Sequence, residues 1–545
     1  MAKSFQSKFT LAEGIDDGKV LHQGVSDCGF LLVRTRWTLR LLLKLGDNSA
    51  TGPDGIPSQI LKQCARELAR PITKVVRLIL AVGKWPKLWR VHWILPLHKR
   101  KSRSVPGNYR GIHLTSQLSK VVERFVGNLF LPRVQALDFF GPRQFAYSRG
   151  RSYKDALLIC VSEWLWALGH KCRIGLYCSD VAGAFDRVST DRLINVISSL
   201  GLHDSVFRVL SSWLEPRDAY VVVDNEKSRH FCLKDMVFQG TVLGPPLWNL
   251  FFASCRHAVN AHFFTEVVFA DDLNSYRKYH SDASHATIFQ DLTKCQKSVH
   301  EWGKCHQVEF EPSKESLHVL CSKQPKGDAF KILGIKFDTK LSMYDAVVSI
   351  VAETGSRLKM IYRVRPFYSV SALINLYKCH VLSFIESGSA AYYHATPSIL
   401  KLIDEIQIVF LANIGISKEC ALKDFNLGPL SLRRDIMMLG VLHKIALGIA
   451  PAPLRELIKP SVCNLRSFGF HNGKTFHDKQ LSDNVGNNSP ILLKRSIFGL
   501  VHVYNRLPQD VINATIVQAF QRKLHCIVKH CIEDNPKWDL MFHRE

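Results

Sequence analysis

Two blocks of aspartates are the chain's best candidates for metal chemistry. Asp271 and Asp272 lie between two apolar runs within residues 265–279, which predicts two strands joined at a turn. Asp180 follows a similar run, residues 174–178, so it also stands where a strand is expected to end. Mg²⁺ suits such sites, because it binds through one or two carboxylates and keeps several waters. Two such ions roughly 3.5–4 Å apart catalyse in-line phosphoryl transfer.

A simpler explanation exists for the aspartate pair, since Asp tolerates turn geometry and is common at hairpin turns. Between the two blocks lies a glycine loop that opens a predicted helix, from Gln239 and Gly240 to Gly244 and Pro245. Glycine lets a backbone approach a ligand closely, and a helix start favours phosphate. Such a run is usually just a turn, and only its position between the carboxylate blocks indicates a site.

The charge of the chain predicts a polyanionic partner. Its 545 residues include 72 Lys and Arg against 47 Asp and Glu, a formal net charge of +25. Nucleic acid is the favoured partner of such an excess, although a membrane surface attracts the same charge. No apolar run approaches the roughly 20 residues that span a bilayer, and the N-terminus lacks the apolar core of a signal peptide. We therefore expect an intracellular protein of the nucleus, the cytoplasm or both.

The 15 cysteines form no Cys-x-x-Cys pair and are expected to be small buried hydrophobic residues in a reducing compartment. One cluster near the C-terminus contains His525, Cys526, His530 and Cys531. On a helix, Cys526 and His530 share a face, so a zinc site is conceivable. The alternative is a plain amphipathic helix over residues 515–529.

Hydrophobic periodicity and turn residues place the other elements. Beyond residue 344 we expect long helices, and the polar stretch 459–490 is predicted to be a linker or loop. The elements predicted with approximate bounds are helices at 37–45, 58–82, 116–133, 153–168, 190–200, 204–214 and 288–302, a strand at 93–97, hairpins at 219–233 and 332–337, a strand pair at 308–310 and 316–320, and a compact last piece at 491–529.

The order of the motifs resembles the palm of a reverse transcriptase. The three blocks that carry this resemblance are Asp-x-x-x-Ala-Phe-Asp at 180–186, Gln-Gly-x-x-x-Gly-Pro at 239–245 and Phe-Ala-Asp-Asp at 269–272. Other segments are similar to the enzymes of non-LTR (LINE-type, jockey-like) retrotransposons. These are Gly-Pro-Asp-Gly-Ile-Pro at 52–57, Asn-Tyr-Arg-Gly-Ile at 108–112, Gln-Phe-Ala-Tyr at 144–147, Arg-Ser-Ile-Phe at 495–498 and Asn-Arg-Leu-Pro at 505–508. The likeness is strong over roughly residues 35–345 and weaker elsewhere.

The resemblance implies an α+β, right-hand polymerase fold, in which the palm contains an antiparallel sheet and the thumb is helical. A mainly helical C-terminal region follows. The implied divisions are a lead segment at 1–45, fingers at 46–155, a palm with part of the fingers at 156–345, a thumb at 346–458, a linker or loop at 459–490 and the C-terminal region at 491–545.

The resemblance also assigns the metal site. Asp180 and Asp271 would ligate two Mg²⁺ ions with help from Asp272, and the backbone carbonyl of Val181 would complete the shell. Mn²⁺ is a possible substitute for Mg²⁺. Lys314 matches a lysine that protonates the leaving pyrophosphate, and an exposed structural lysine is the alternative.

Residues that would bind the nucleotide follow from the same likeness. Phe185 matches the aromatic residue that lies under the sugar and excludes a 2′-hydroxyl, although it could be an ordinary core residue. Lys99 and Arg110 match residues that grip the triphosphate, the Arg with bidentate geometry. Arg100 and Lys101 are adjacent candidates for the role of Lys99, and a solvated basic loop is the alternative.

The remaining assignments concern the template and the primer. Gln239 and Gly240 would contact the template and the incoming nucleotide. Leu333 and Gly334 lie in Phe-Lys-Ile-Leu-Gly at residues 330–334, which resembles the hairpin that holds the primer end.

The predicted function is RNA-directed DNA polymerisation from dNTPs onto a DNA 3′-hydroxyl, used in target-primed retrotransposition. A catalytically silent descendant that binds RNA or DNA is the alternative. A group II intron maturase or telomerase-like enzyme shares the palm and fits the other motifs less well. No endonuclease precedes the polymerase motifs and no RNase H pattern follows them. We therefore expect a truncated element, a fragment, or a product that works with a separate endonuclease.

Overall fold

The protein is described by a computed structural model that covers residues 1–8, 31–99, 102–461 and 477–543. Its strands collect into separate, mostly antiparallel sheets among many helices, which confirms the α+β class. The strands are β1 (Val91–His98), β2 (Tyr109–Leu114), β3 (Arg173–Asp180), β4 (Arg217–Val223), β5 (Glu226–Lys227), β6 (Phe231–Leu233), β7 (Thr265–Phe269), β8 (Asp272–Tyr279), β9 (Ser316–Leu320), β10 (Phe330–Ile332) and β11 (Ile335–Phe337).

Helices fill the rest of the described chain. The first eleven are α1 (Ala2–Lys8), α2 (Thr35–Leu43), α3 (Ser58–Gln63), α4 (Ala65–Val82), α5 (Gln117–Ala136), α6 (Tyr153–Gly169), α7 (Thr190–Ser198), α8 (Asp204–Leu214), α9 (Gly244–Phe252), α10 (Cys255–Asn260) and α11 (His285–His306). The others are α12 (Tyr344–Val364), α13 (Val370–Tyr377), α14 (Ser383–Tyr392), α15 (Pro397–Asn413), α16 (Lys418–Phe425), α17 (Leu430–Ala446), α18 (Ala452–Leu457), α19 (Ile491–Lys494), α20 (Ile497–Tyr504), α21 (Gln509–Ile512) and α22 (Val517–Cys531).

The chain divides into two compact units, each assembled from three separate segments. The first unit contains Met1–Tyr147, Ser179–Phe263 and Lys294–Glu315. The second contains Ser148–Cys178, Phe264–Thr293 and Ser316–Glu545.

The sheet of the first unit is built around β1. β2 pairs with β1 in antiparallel fashion from Trp93↔Leu114 to His98↔Tyr109, and β4 pairs with it in parallel. β5 and β6 continue the sheet from β4. In this unit α4 buries an apolar stripe at helical spacing, as an amphipathic helix does. α4 ends at Gly83, whose left-handed conformation is a common helix stop.

The second sheet has the strand order β7-β8-β3-β9. β7 and β8 form an antiparallel hairpin, and β3 pairs antiparallel with β9 from Ile174↔Leu320 to Cys178↔Ser316. Six consecutive residues of β3 are buried, so its sequence is an uninterrupted apolar run. Gly175 permits close packing on this strand, since a Cβ there would lie 2.9 Å from Ile288 Cγ2 of α11.

Most of the predicted elements are confirmed, and two of them are wrong in detail. The single helix expected at 58–82 is two helices, α3 and α4, separated at Cys64. The strand expected at 308–310 is not formed, and only an isolated bridge joins Phe310 to Val181. A single bridge does not propagate here because the chain enters a short 3₁₀ turn at Pro312–Lys314.

The expectation of long helices beyond residue 344 is confirmed from α12 to α22. Residues 462–476 of the predicted linker lie outside the described residues, and the Pro460–Leu481 bridge joins the segments on either side of them. In the last piece, α22 packs against α17 through Phe520, Leu524 and Val528. No described helix is both long and apolar enough to cross a bilayer.

The prediction that the cysteines are buried is only partly right. The described cysteines are free thiols. Cys160, Cys178, Cys255, Cys295 and Cys321 are buried, whereas Cys64, Cys232, Cys305, Cys379 and Cys526 are exposed. Whether a cysteine is buried depends on the face of the strand or helix on which it lies. The residue type alone does not determine that face.

Candidate active site

Asp180 is the last residue of β3, and its side chain is 17% exposed. The ammonium group of Lys314 donates to Asp180 Oδ2 and forms an ion pair with it. Lys314 reaches this position because the backbone N–H of Glu311 donates to the Asp180 carbonyl at 2.9 Å. The 3₁₀ turn that ends at Lys314 follows directly. Two of the predicted catalytic residues therefore lie in contact in the first unit.

Val181 is a buried residue directly after β3. Val181 forms an antiparallel bridge with Phe310, and the neighbours of these two residues make the hydrogen bonds of the bridge. The Ala182 N–H donates to the Glu309 carbonyl at 2.8 Å, and the Glu311 N–H donates to the Asp180 carbonyl. A residue at such a position directs its own N–H and C=O away from the partner strand. Within the described part of the chain, no hydrogen bond to the Val181 carbonyl is found.

Asp271 and Asp272 lie at a tight hairpin turn in the second unit. Phe269 pairs with Asp272, so Ala270 and Asp271 alone form the turn between β7 and β8. Ala270 has φ +60°, a conformation that the first central residue of such two-residue turns requires. Both aspartates are partly exposed. The predicted strand–turn–strand arrangement is confirmed.

Each block of aspartates stands at the end of a strand. Asp180 is the last residue of β3 and lies in the first unit, and Asp272 is the first residue of β8 and lies in the second. Within the second unit, Asp272 acts on Cys178, two residues before the end of β3. Burial raises the pKa of the Cys178 thiol, and the Asp272 carboxylate adds to that rise.

The predicted metal ligands come from both compact units, Asp180 and Val181 from the first and Asp271 and Asp272 from the second. Among the residues that the structure describes, no three His, Cys, Asp or Glu side chains are grouped to hold a metal ion. The types of donor nevertheless fit Mg²⁺, because carboxylate and carbonyl oxygens are the ligands that it takes. The metal assignments of Asp180, Val181, Asp271 and Asp272 stay predictions.

Phe185 has a packed face and a half-exposed position. Its ring stacks on the fully buried Trp248, with centroids 5.7 Å apart and an interplanar angle of 21°. The ring of Tyr147 meets Phe185 edge-on at 6.2 Å. The side chain is only partly buried, so it remains accessible to a ligand. The contact of Phe185 with a sugar stays a prediction.

Gln239 and Gly240 lie in a loop that β2 and Asp186 hold in place. The backbone N–H of His113 donates to the Gln239 carbonyl at 2.8 Å. The side-chain amide of Gln239 donates to Asp186 Oδ1 at 3.2 Å. Gly240 has φ +100°, and a Cβ there would lie 2.7 Å from the His113 carbonyl oxygen. Only glycine therefore fits this close approach of two backbones.

The start of α9 is not open to phosphate, contrary to the expectation from the sequence. Glu123 of α5 accepts hydrogen bonds from the N–H groups of Val242 (2.7 Å) and Leu243 (3.2 Å). The Gly244 N–H donates to the Thr241 hydroxyl at 3.2 Å. Residues 245 and 246 are prolines and have no N–H. Sequence reasoning missed Glu123, because nothing local marks a partner 119 residues away.

Lys99 and Arg110 lie on the β1–β2 hairpin of the first unit. The Lys99 N–H donates to the Asn108 carbonyl at 2.9 Å, and Arg110 pairs with Leu97. Both side chains are exposed. The alternatives to Lys99, residues 100 and 101, lie outside the described residues.

Leu333 and Gly334 form the turn of a second two-residue hairpin. Ile332 pairs with Ile335 between β10 and β11, and both turn residues have positive φ, +49° and +84°. Such a turn matches the twist of its strands. The predicted hairpin is confirmed, whereas its contact with a primer stays a prediction.

The zinc alternative near the C-terminus has no support in the structure. His525, Cys526, His530 and Cys531 lie on α22 or at its end, and the helix faces the core through its apolar residues. Burial lowers the pKa of His525 to about 4. Among the described residues, no group of three His, Cys, Asp or Glu side chains that could hold a metal is found. The predicted amphipathic helix is confirmed as α22.

Comparison with known proteins adds independent evidence. Residues 97–337 match the family described as reverse transcriptase (RNA-dependent DNA polymerase). Three relatives come from Drosophila melanogaster. The RNA-directed DNA polymerase from mobile element jockey is 26% identical over 69% of this chain and 43% of its own length. The probable polymerases from transposons X-element and BS are 25% and 28% identical, over 67% and 44% of this chain and 42% and 27% of their own lengths. The matches thus span less than half of each curated relative.

Proposed function

Because residues 97–337 belong to the reverse transcriptase family and the chain is related to the polymerases of jockey, X-element and BS, we propose that it is an RNA-directed DNA polymerase. It extends a DNA 3′-hydroxyl with dNTPs and copies an RNA template. The use proposed is target-primed retrotransposition of a non-LTR element. We propose a location in the nucleus, the cytoplasm or both for this reaction.

One observation carries the proposal. Asp180 is the last residue of β3, and Asp272 is the first residue of β8, with Asp271 in the turn beside it. Carboxylate oxygens at such strand ends are the ligands that Mg²⁺ takes. The match of residues 97–337 includes all three aspartates.

We assign the metal site to Asp180, Asp271 and Asp272, with the Val181 carbonyl as a further ligand. Two Mg²⁺ ions bound there would activate the primer 3′-hydroxyl and stabilise the departing pyrophosphate, and Mn²⁺ is a possible substitute. The chain's own contribution is to hold Asp180 and Asp272 at the ends of strands, with Val181 and Asp271 directly beside them.

Lys314 supplies the proton for the leaving group. The primer 3′-hydroxyl loses its proton to solvent, its oxygen bonds to the α-phosphorus, and the bond from the α-phosphorus to the pyrophosphate oxygen breaks. The Nζ proton of Lys314 passes to that oxygen, and a water restores it after release. The pairing of Lys314 with Asp180 supports this role, because it shows that the ammonium group reaches the end of β3.

The nucleotide would be bound from several sides. Lys99 and Arg110 are exposed cationic side chains of one hairpin and would hold the triphosphate. Phe185 would lie against the sugar, and Gln239 and Gly240 against the template base and the incoming nucleotide.

The primer and the larger divisions complete the proposal. The turn of Leu333 and Gly334 would hold the primer end. We retain fingers at 46–155, a palm at 156–345 and a helical thumb at 346–458 as the functional divisions, preceded by the lead segment 1–45. The stretch 459–490 would be a linker or loop before the C-terminal region 491–545.

The second candidate is a binding protein without activity. The net charge of +25 favours it equally, since charge alone attracts nucleic acid. All three aspartates are present, which favours the enzyme.

Primer extension on poly(rA)/oligo(dT) separates the two candidates. We expect the wild-type chain with Mg²⁺ and dTTP to extend the primer. Asp271→Asn should lose at least about 10³-fold of that activity, because electrostatic stabilisation of the displacement depends on the site. Binding of the same duplex is the control and should be retained by Asp271→Asn. Binding without extension by the wild type would support the binding protein and exclude the enzyme.

A further inference from the structure

The loop at residues 238–244 is fixed by two distant elements of the first unit. On one side β2 holds it, through the His113 N–H on the Gln239 carbonyl and the close approach of Gly240 to the His113 carbonyl. On the other side α5 holds it through Glu123. The two residues assigned to the template and the nucleotide, Gln239 and Gly240, lie between these attachments.

Glu123 is a buried carboxylate with three hydrogen bonds. It is 1% exposed. Its Oε2 atom accepts from the Val242 and Leu243 N–H groups, and its Oε1 atom accepts from the Ser119 hydroxyl at 3.1 Å. Two adjacent backbone donors thus meet a single oxygen, which fixes the direction in which the chain leaves the loop and enters α9.

Burial of this carboxylate is unfavourable by itself. Burial raises the pKa of Glu123, while the N–H groups of Val242 and Leu243 and the charge of Arg217 oppose the rise. Arg217 is also buried, donates to the Trp89 carbonyl at 3.1 Å and to the Trp213 carbonyl, and lies 4.7 Å from the ring centroid of Phe238. An apolar residue would fill the same volume without a desolvation cost. The polar side chain supplies an acceptor oxygen for the Val242 and Leu243 N–H groups, which an apolar residue would leave without this partner.

Thr241 links the two ends of the loop that Glu123 holds at Val242 and Leu243. The Thr241 hydroxyl donates to the Phe238 carbonyl at 2.6 Å and accepts from the Gly244 N–H. This internal link makes residues 238–244 a single rigid turn. A shift at Val242 is therefore transmitted to Gln239 and Gly240.

We propose that Glu123 is a positioning residue for nucleotide selection. It orients Gln239 and Gly240 toward the template base and the incoming dNTP through the N–H groups of Val242 and Leu243. The inference rests on the polymerase function proposed above. It assigns Glu123 an effect on dNTP binding and on base discrimination, with a much smaller effect on the chemical step, because Glu123 touches neither the metal ligands nor Lys314.

Steady-state primer extension with varied dNTP tests the proposal. Glu123→Ala removes both acceptors, and we expect the KM for the correct dNTP to rise about 10-fold or more, as for a lost charge-assisted hydrogen bond. The value of kcat should change less than about 3-fold. Glu123→Gln should keep KM near the wild-type value, because its amide oxygen still accepts from both N–H groups and its amide nitrogen can donate to Ser119.

The matched control is Asp155→Ala. Asp155 is also a buried carboxylate, and it pairs with Lys444 in the second unit at 3.0 Å. This variant should lose stability and leave KM for dNTP unchanged. Amide hydrogen exchange at Val242 and Leu243 should accelerate in Glu123→Ala and not in Asp155→Ala.

Each outcome decides the proposal. Extension by Glu123→Ala with an unchanged KM would overturn it and leave the polymerase function standing. Absence of extension by the wild type would contradict both the polymerase function and the role of Glu123. If Glu123→Ala does not fold, Glu123→Asp replaces it, because the shorter side chain cannot reach both N–H groups. A wild-type KM for Glu123→Asp would then overturn the proposal.

Discussion

Asp180 and Lys314, two of the predicted catalytic residues, form an ion pair. The side chain of Lys314 is 58% exposed, whereas that of Asp180 is 17% exposed. The ammonium end of Lys314 therefore lies on the solvent side of the pair. That position suits a lysine that must turn from a carboxylate toward a departing pyrophosphate.

Phe185 has two alternative roles, to exclude a 2′-hydroxyl from the nucleotide site or to pack as an ordinary core residue. Its contact with Trp248 fixes the plane of the ring, and its partial exposure leaves one side of the side chain available. A ring held in one orientation can exclude a 2′-hydroxyl by steric conflict, because its neighbour Trp248 cannot move in a packed core.

Phe185→Ala should relax the selection of the sugar. We expect the ratio of dNTP to rNTP incorporation efficiency to fall at least about 10-fold, since excluded volume in a pocket is worth a factor of this size. Single-nucleotide extension with dTTP and UTP measures it. Phe185→Tyr, which keeps the ring, is the control and should retain selectivity. An unchanged ratio in Phe185→Ala, with lowered stability, would identify an ordinary core residue.

At the scale of elements, two tight turns carry conformations that most residues avoid. Ala270 is a non-glycine residue at φ +60° in the β7–β8 turn. Such a conformation costs of order 1–3 kcal/mol and persists only where the surroundings impose it. The pairing of β7 with β8 over five residue pairs imposes it here. The strain is located beside the two predicted metal ligands.

The loop at Gly240 requires glycine, whereas the β7–β8 turn accepts alanine at a positive φ. Gly240→Ala should disturb the loop, because the new Cβ meets the His113 carbonyl and φ is +100°. We expect destabilisation of about 1–3 kcal/mol together with a higher KM for dNTP. Gly355→Ala in α12 is the control, because a Cβ there meets no atom within 4 Å. It should stabilise the helix by about 1 kcal/mol. Urea unfolding compares the two, and equal effects would contradict the assignment.

Some elements could be predicted from the sequence because their signals are local. The β7–β8 hairpin and β3 follow from apolar runs, and α8 was predicted with its observed bounds. The break at Cys64 was missed because the hydrophobic period continues through it. The failure of a strand at 308–310 reflects the absence of a continuous partner, which is a tertiary property.

In the candidate site, too, the sequence predicts residues with local signals and misses those that depend on tertiary contacts. The aspartates and the glycine loop were found because their order in the chain is distinctive. Glu123 could not be found, since its partners Val242 and Leu243 are far away in sequence and its spacing fits an ordinary helix. The phosphate expectation at α9 was wrong for that reason. The N–H groups available at a helix start depend on which side chains fold against it.

For the molecule as a whole, buried histidines predict a loss of stability in acid. Burial lowers the pKa of His113 to about 3 and that of His394 to about 4. Above pH 6.5 both are neutral in the folded and the unfolded chain. Below pH 6.5 the unfolded chain takes up protons that the folded chain does not bind until pH 3–4. The unfolded state is therefore favoured as the pH falls.

The free energy of unfolding should decrease between pH 6.5 and 4, by up to about 1.4 kcal/mol per pH unit for each such histidine. Glu123, whose pKa is raised, opposes part of this decrease. Urea midpoints at pH 7 and pH 5 measure the effect. His394→Gln should show a smaller difference between the two midpoints, because the glutamine side chain does not take up a proton. Gln can still donate to the Leu341 carbonyl, which His394 contacts at 2.9 Å. Equal midpoints at both pH values would refute the prediction.

The central claim is that Asp180, Asp271 and Asp272 together bind two divalent cations. Electron paramagnetic resonance of Mn²⁺ bound to the protein with a primer, an RNA template and a non-hydrolysable dNTP counts these ions directly. We expect two per complex in the wild type and fewer in Asp180→Asn and in Asp271→Asn. Two ions retained in Asp180→Asn would contradict the claim, because the end of β3 would then take no part in the metal site.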